Sequence, residues 1–325
     1  MNDLIERNWK RLGAVAIWIT LSAVPLWSGA AREADHWSFF SLDYPGAAST
    51  VAWGINANGA VVGSYVDSSK QQHGFLLSGG KFTSIDFPGA ISTDARGINS
   101  RGDIVGTHVD AMGMPGGGVH GYLLQQGSFK ALDYPGHLNT ITQRISDDGQ
   151  IVGCFHDTDT MGTMYGMLMS DGNFKAVNVA ASMSNGVTPG DSLVAGFVTD
   201  MMTGVSHGFL ASNGSAFPFD FPFSTLTNAW DMSPTGEVVG VYTDLASKNH
   251  GFLLRLDASV LTLGVGAQFG VNGSLSFTTV DFPGAPDTRL RSINSRADIV
   301  GQYTDAAGTT HGFLLVRSQA GDGDQ

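Results

Sequence analysis

Only one cysteine, Cys154, occurs in 325 residues. No disulfide can form within the chain, so its stability must come from packing alone. Cys154 follows an Ile-Val-Gly whose counterparts elsewhere continue with Ser64, Thr107 or Gln302. It therefore reads as a small residue on a strand and not as a nucleophile. Charge is scarce too: 14% of residues are charged, and 17 Lys and Arg face 29 Asp and Glu, giving a formal net charge of −12. A nucleic-acid backbone calls for a basic stripe, and none is present. The chain also lacks a P-loop, H-E-x-x-H, C-x-x-C and G-x-S-x-G, so none of the chemistries those motifs carry is indicated. Gly116 to Gly121 matches G-x-G-x-x-G, but it leads into a strand pattern and not a helix, which excludes a dinucleotide site.

Long apolar runs are confined to the N-terminus. Arg7, Lys10 and Arg11 precede a nearly all-apolar stretch from Gly13 to Trp27, followed by the small residues Ser28-Gly29-Ala30. This is the layout of a secretory signal peptide over residues 1–30, cleaved after Ala30. A retained anchor is the alternative, although a spanning helix needs about 20 apolar residues and this run is shorter. The expectation is an exported protein, periplasmic or extracellular, with no membrane association once the leader is removed.

What the chain has in abundance is glycine, 44 residues, and an internal repeat. The segment from Asp281 to Leu315 recurs from Asp43 and from Asp86, with more degenerate copies from Asp133, Asn178 and Asp220. The D-[FY]-P element begins five copies, and seven residues later stands Thr50, Thr93, Thr140, Thr227 or Thr288. An apolar-Gly pair follows, at Gly63, Gly106, Gly153, Gly196, Gly240 and Gly301. Four residues beyond each of these glycines is an aspartate: Asp67, Asp110, Asp157, Asp200, Asp244 and Asp305. A His-Gly pair closes each copy at His73, His120, His207, His250 and His311, with Tyr165-Gly166 in the third.

Each copy contains four short apolar runs, in the first copy 52–56, 61–66, 74–77 and 81–87, separated by Asn58-Gly59, a polar loop and Gly79-Gly80. Asn-Gly and Gly-Gly between β-branched or aromatic runs mark hairpins, and the runs are strand-length. Four antiparallel strands in about 45 residues make a propeller blade. The expected fold is an all-β, six-bladed β-propeller over 37–316, with a disordered tail over 317–325. The last copy supplies three strands and the N-terminal segment supplies one, so Ser38–Leu42 should pair with Gly312–Val316 and close the ring. The fifth copy carries an 18-residue surplus at 257–274 between its third and fourth strands, and the fourth copy is the most degenerate.

The core Ile-Asn-x-x-Gly-x-[IV]-Val-Gly…His-Gly-Phe, as at Ile55-Asn56…Gly59…Val62-Gly63…His73-Gly74-Phe75 and, with Tyr122 for Phe and Ala297 for Gly, in the copies at Ile98 and Ile293, resembles the HAF repeat of exported bacterial proteins. This chain has Gly where the family name has Ala. The resemblance spans nearly all of the chain after the leader. It implies an exported β-repeat protein and carries no activity with it.

In such a ring the D-[FY]-P loops and the Asp…His hairpins fall on one face. Because Asp and His recur in nearly every copy, they read as structural, Asp capping turns and His bridging to a neighbour. Cation binding is the alternative: pairs such as Asp43 and Asp67 offer hard oxygen ligands for Ca²⁺. No D-x-D-x-D-G loop is present, so no cofactor is expected, and calcium is the metal the acidic loops would take. Met161, Met164, Met167, Met169, Met183, Met201 and Met202, with Cys154 and His156 nearby, offer soft ligands for Cu(I), or else fill a looser core.

The better ligand-binding candidates are unlike residues at a repeated position. Three residues after each repeat Thr stand Trp53, Arg96, Gln143, Trp230 and Arg291, expected at the mouth of the central channel. Aromatics stack on sugar rings and Arg forks onto carboxylates or phosphates. Packing between blades is the other reading of the same residues. The chain thus reads as a monomeric ligand-binding or interaction module, for a carbohydrate, an anionic small molecule or a cell-surface partner. The rivals are a periplasmic or secreted glycan hydrolase or lyase at the same mouth, and a structural cell-surface protein.

Overall fold

The hairpin signals fold as they read. In a computed structural model of the chain, the first full copy gives β2 (Ser49–Ile55), β3 (Val61–Val66), β4 (Gln72–Ser78) and β5 (Lys81–Ile85), paired antiparallel in that order. Gly59 turns β2 into β3 at φ 81°, a backbone state that costs glycine nothing. The chain divides into residues 1–35 and 36–325. The structure describes residues 36–110, 118–157, 164–191, 193–212, 215–256 and 275–318. The leader at 1–30, the insertion at 257–274 and residues 319–325 of the tail lie outside the described residues, as do 111–117, which hold the first two residues of the G-x-G-x-x-G match, and Met161.

Six four-stranded antiparallel sheets result, and the chain is a six-bladed β-propeller. The remaining innermost strands are β6 (Ser92–Ile98), β10 (Asn139–Ile145), β14 (Ser182–Val187), β18 (Leu226–Met232) and β22 (Asp287–Ile293). In the sixth blade, β22, β23 (Ile299–Thr304) and β24 (Thr310–Ser318) come from the C-terminus and β1 (His36–Leu42) from the N-terminus. Ser38 pairs with Val316 and Leu42 with Gly312, the expected register. Pairing runs on to His36 with Ser318, so the strand enters the stretch expected as tail by two residues.

The core lies between blades. The aromatic after each His-Gly is fully buried: Phe75, Tyr122, Phe209, Phe252 and Phe313, with Met167 in the third blade. Each such burial contributes about 1.5–3 kcal/mol. Phe75 clusters with Ala52 and Val61 of its own blade and with Val300 and Leu314 of the sixth. The apolar-Gly landmark follows from this packing. A Cβ on Gly63 would collide with the Val51 carbonyl and the Phe75 ring, and the equivalent glycines are held the same way. Facing that glycine, every innermost strand has a β-bulge, between 52 and 54, 95 and 97, 142 and 144, 184 and 186, 229 and 231, and 290 and 292. The repeated Thr closes the D-[FY]-P loop, Thr50 Oγ1 accepting from Tyr44 N at 3.0 Å, with the same bond in the four other Thr copies.

Candidate functional site

The repeated Asp and His meet on one face, as the topology requires. Asp67 Oδ1 accepts from the backbone N–H groups of Ser69 and Gln71, which caps the β3–β4 turn. His73 lies with Nε2 3.5 Å from Asp67 and Nδ1 2.6 Å from Asp86. The same relay joins His120 to Asp133 and Asp110, His250 to Asp281 and Asp244, and His311 to Asp43 and Asp305. His207 holds Asp220, and Asp200 caps its turn through Met202 N. In the third blade Tyr165 replaces His, and His137 from the preceding loop takes Asp157 instead. Asp43 and Asp67 therefore belong to different relays. Among the described residues no group of three or more His, Cys, Asp or Glu is placed to hold a metal ion.

These bonds tune the groups. Backbone donors first, then the His partner, hold the carboxyls of Asp67, Asp244 and Asp305 below the usual range. Asp220 raises His207. Burial would lower His311, but its bonds to Asp43 and Asp305 prevail and raise it. Of the methionines, Met164, Met167 and Met169 are buried, whereas Met201 and Met202 are exposed. Cys154 is buried beside them in sequence, and its thiol is pushed up to about 12 by burial.

Trp53, Arg96, Gln143, Trp230 and Arg291 are the bulge residues of five blades. The structure brings them together, stacked on one another across the axis. Trp53 and Trp230 have ring centroids 5.9 Å apart. The Arg291 guanidinium lies between them, 4.4 Å from Trp53 and 4.0 Å from Trp230. Arg96 covers Trp53 at 4.8 Å, donates Nη1 to Gln143 Oε1 at 3.2 Å and pairs with Asp94 at 3.0 Å. Trp53 Nε1 donates to Ser64. Gln143 and Arg291 are buried, and Trp53, Arg96 and Trp230 are partly exposed.

Two groups that the residue count did not single out seal the axis below. Arg144 donates Nη1 to the carbonyls of Arg96 and Gln143, both at 2.8 Å, and Nη2 to the carbonyl of Arg291. Its Nε lies 3.1 Å from Asp231, whose Oδ2 also accepts from Ser292 Oγ. One side chain thus ties four blades. Asn185, the bulge residue of the fourth blade, donates to Ala229 O of the fifth at 2.9 Å. It was missed because the fourth copy has no Thr landmark to count from. A signal for Arg144 and Asp231 was present: the residue after the bulge is Gly54, Gly97 or Gly186 in three blades but Arg144, Asp231 or Ser292 in the others.

A separate cleft of ≈670 Å³ on the loop face is lined by Lys248, Asp281, Phe282, Pro286 and Ala306, with none of the five predicted residues.

No protein-family model matches the chain, so the HAF resemblance is not confirmed by one, and no curated protein matches it either. Solved structures do match. A protein of unknown function from Dyadobacter fermentans is 11% identical with a TM-score of 0.52, over 88% of this chain and 99% of that one. The fucose lectin of the fungus Aleuria aurantia, a six-bladed β-propeller, is 10% identical with a TM-score of 0.48, over 84% of this chain and 97% of the lectin. At these identities the likeness is one of fold, and fucose recognition is a property of that lectin.

Proposed function

We propose that this propeller is an exported binding module whose ligand, a carbohydrate or an anionic small molecule, is taken at the channel cluster of Trp53, Arg96, Trp230 and Arg291. One observation carries the reading. Positions needed to build a blade repeat from copy to copy: the glycine facing the bulge, the buried aromatic, the turn-capping aspartate. The bulge position instead collects Trp, Arg, Gln, Asn, Trp and Arg in one place. Ring closure accounts for their being unlike, but not for two guanidinium groups gathered on two indoles. Aromatic faces and guanidinium forks are the side chains that recognise sugar rings and oxyanions.

A hydrolase reading needs carboxylates free to act as acid and base. In the channel Asp94 is held by Arg96, Asp231 by Arg144 and Asp287 by Arg289, which disfavours that role.

Thermal denaturation of the full chain against a panel of neutral and acidic mono- and oligosaccharides tests the proposal, since a ligand that prefers the folded state raises Tm. A rise that disappears in Trp230→Ala supports the channel. No response across the panel sinks it. A fall in Tm with EDTA would instead move the site to the acidic loops.

A further inference from the structure

Four arginines crowd the channel, and three have a carboxylate. Arg96 has Asp94 at 3.0 Å, Arg144 has Asp231 at 3.1 Å and Arg289 has Asp287 at 2.8 Å. Arg291 has none within ion-pair distance among the described residues. Its Nε and Nη2 share the amide oxygen of Gln302 at 3.3 and 3.1 Å, and its Nη1 is buried without a hydrogen-bond partner. The residue is 5% exposed. Burial, followed by the charges of Arg289, Arg96 and Arg144, disfavours its protonated form strongly, and Asp287, already paired with Arg289, offsets this only in part.

Magnitudes decide how to read this. A cation–π contact is a weak attraction. Removing an ion from water costs more than such contacts return, and a neutral amide oxygen does not neutralise it. Two indoles and Gln302 therefore position the guanidinium without balancing its charge. Arg96 has its charge balanced by Asp94, but its Nε is also buried and without a hydrogen-bond partner.

Resting on the binding reading above, we infer that the fourth carboxylate is the ligand's: an oxyanion that takes Arg291 Nη1 and enters past the partly exposed Trp53, Arg96 and Trp230. The planar fork of guanidinium suits a carboxylate or sulfate, and the flanking indoles suit the apolar face of a ring that carries it. The ligand class is an oxyanion, and an acidic sugar is its ring-borne form.

Calorimetric titration of the full chain at constant ionic strength, with glucuronate, glucose, acetate and sulfate, distinguishes the outcomes. Glucuronate is expected to bind at least tenfold tighter than glucose, with acetate or sulfate competing. Arg291→Gln should abolish that preference and raise the Tm of the unliganded chain. Arg296→Gln, which removes the same charge from an exposed side chain paired with Asp298, should leave the preference intact. Equal affinity for glucose and glucuronate overturns the inference and leaves the binding module standing. Acetate and sulfate binding with no sugar binding supports the oxyanion and removes the sugar. Binding of none of the four overturns both readings. If Arg291→Gln does not fold, the comparison of ligands on the unmutated chain still decides.

Discussion

His311→Ala tests the ring closure at its loop-face latch. His311 Nδ1 lies 2.9 Å from Asp43, the residue that follows the N-terminal strand, and Nε2 lies 3.4 Å from Asp305 in its own hairpin. The ring also stacks on Tyr303 at 5.0 Å and 22°. Hydrogen bonds to charged partners contribute about 1.5–3 kcal/mol when sheltered, and stranding a buried partner adds its desolvation cost. Here both aspartates are reachable by water, at 47% and 38% exposure, and rehydrate when His is lost. The expected loss is therefore about 1–2 kcal/mol, near the low end of that range, or a fall in Tm of about 2–4 °C for a domain of this size. The pH dependence has a definite sign. A His raised in the folded state contributes in full below its unfolded pKa of about 6.5, and the contribution fades as pH rises through the raised folded value. The variant should thus differ most from the parent at about pH 5.5 and least in alkali. A double-mutant cycle with Asp43→Asn, read by chemical denaturation at the acidic pH, isolates the pair. Coupling below about 0.3 kcal/mol, the limit at which distant sites add, would refute the latch.

Three further outcomes are expected. Phe223 holds φ 62° where the other four copies have glycine at 77–84°, and it is 90% exposed, so Phe223→Gly should stabilise by about 1 kcal/mol by relieving that strain; an unchanged or lower Tm refutes the strain argument. Cys154 should resist a thiol reagent until the chain unfolds, because it is buried and its pKa is about 12, and stopped-flow labelling in the native buffer checks this. Trp53→Ala should cost about 2 kcal/mol, less than for a fully buried Trp, since its ring supports Arg96 and Arg291; a shift near zero in denaturation midpoint would mean the cluster does not pack as described.

That last expectation follows the packing alternative for Trp53 more than the channel-mouth one, both of which the sequence leaves open. The reason is specific. Repeat spacing gives the level of a residue along the innermost strand, and all five predicted residues share that level. It does not say how far each side chain reaches across the axis, nor whether it meets its counterparts. The bulge was equally hidden, because it alters no residue type and only shifts the pairing by one. In contrast, the His-Gly-aromatic and apolar-Gly pairs were legible because one ring and one missing Cβ face each other in blade after blade. The relay of Asp, His and the next Asp was half legible. The capping Asp and the bridging His follow from spacing, but the substitution of His137 for the missing histidine of the third blade follows from a loop contact between residues 20 positions apart.

The axis also explains why divergence there is not by itself evidence of a ligand. Six identical copies would bring six identical side chains to one line, where neither six arginines nor six tryptophans pack. A ring of repeats must break its symmetry at the centre to close. Gly97 and Gly186 do part of this: a Cβ on the first would meet Arg144 Cα at 2.8 Å, and one on the second would meet Asp231 Cα at 2.9 Å. The space they leave lets Arg144 cross to three other blades and pair with Asp231. Packing accounts for that plug, because the charge meets a countercharge and the forked nitrogens meet carbonyls. One level away the same test gives a different answer. Arg291 is equally buried, feels the charges of Arg289, Arg96 and Arg144 more than that of Asp287, and bonds only a neutral oxygen beside two indoles. Symmetry breaking for closure would be served as well by an uncharged side chain there, at lower cost. What closure does not explain is the charge, and the charge is what an oxyanion would use.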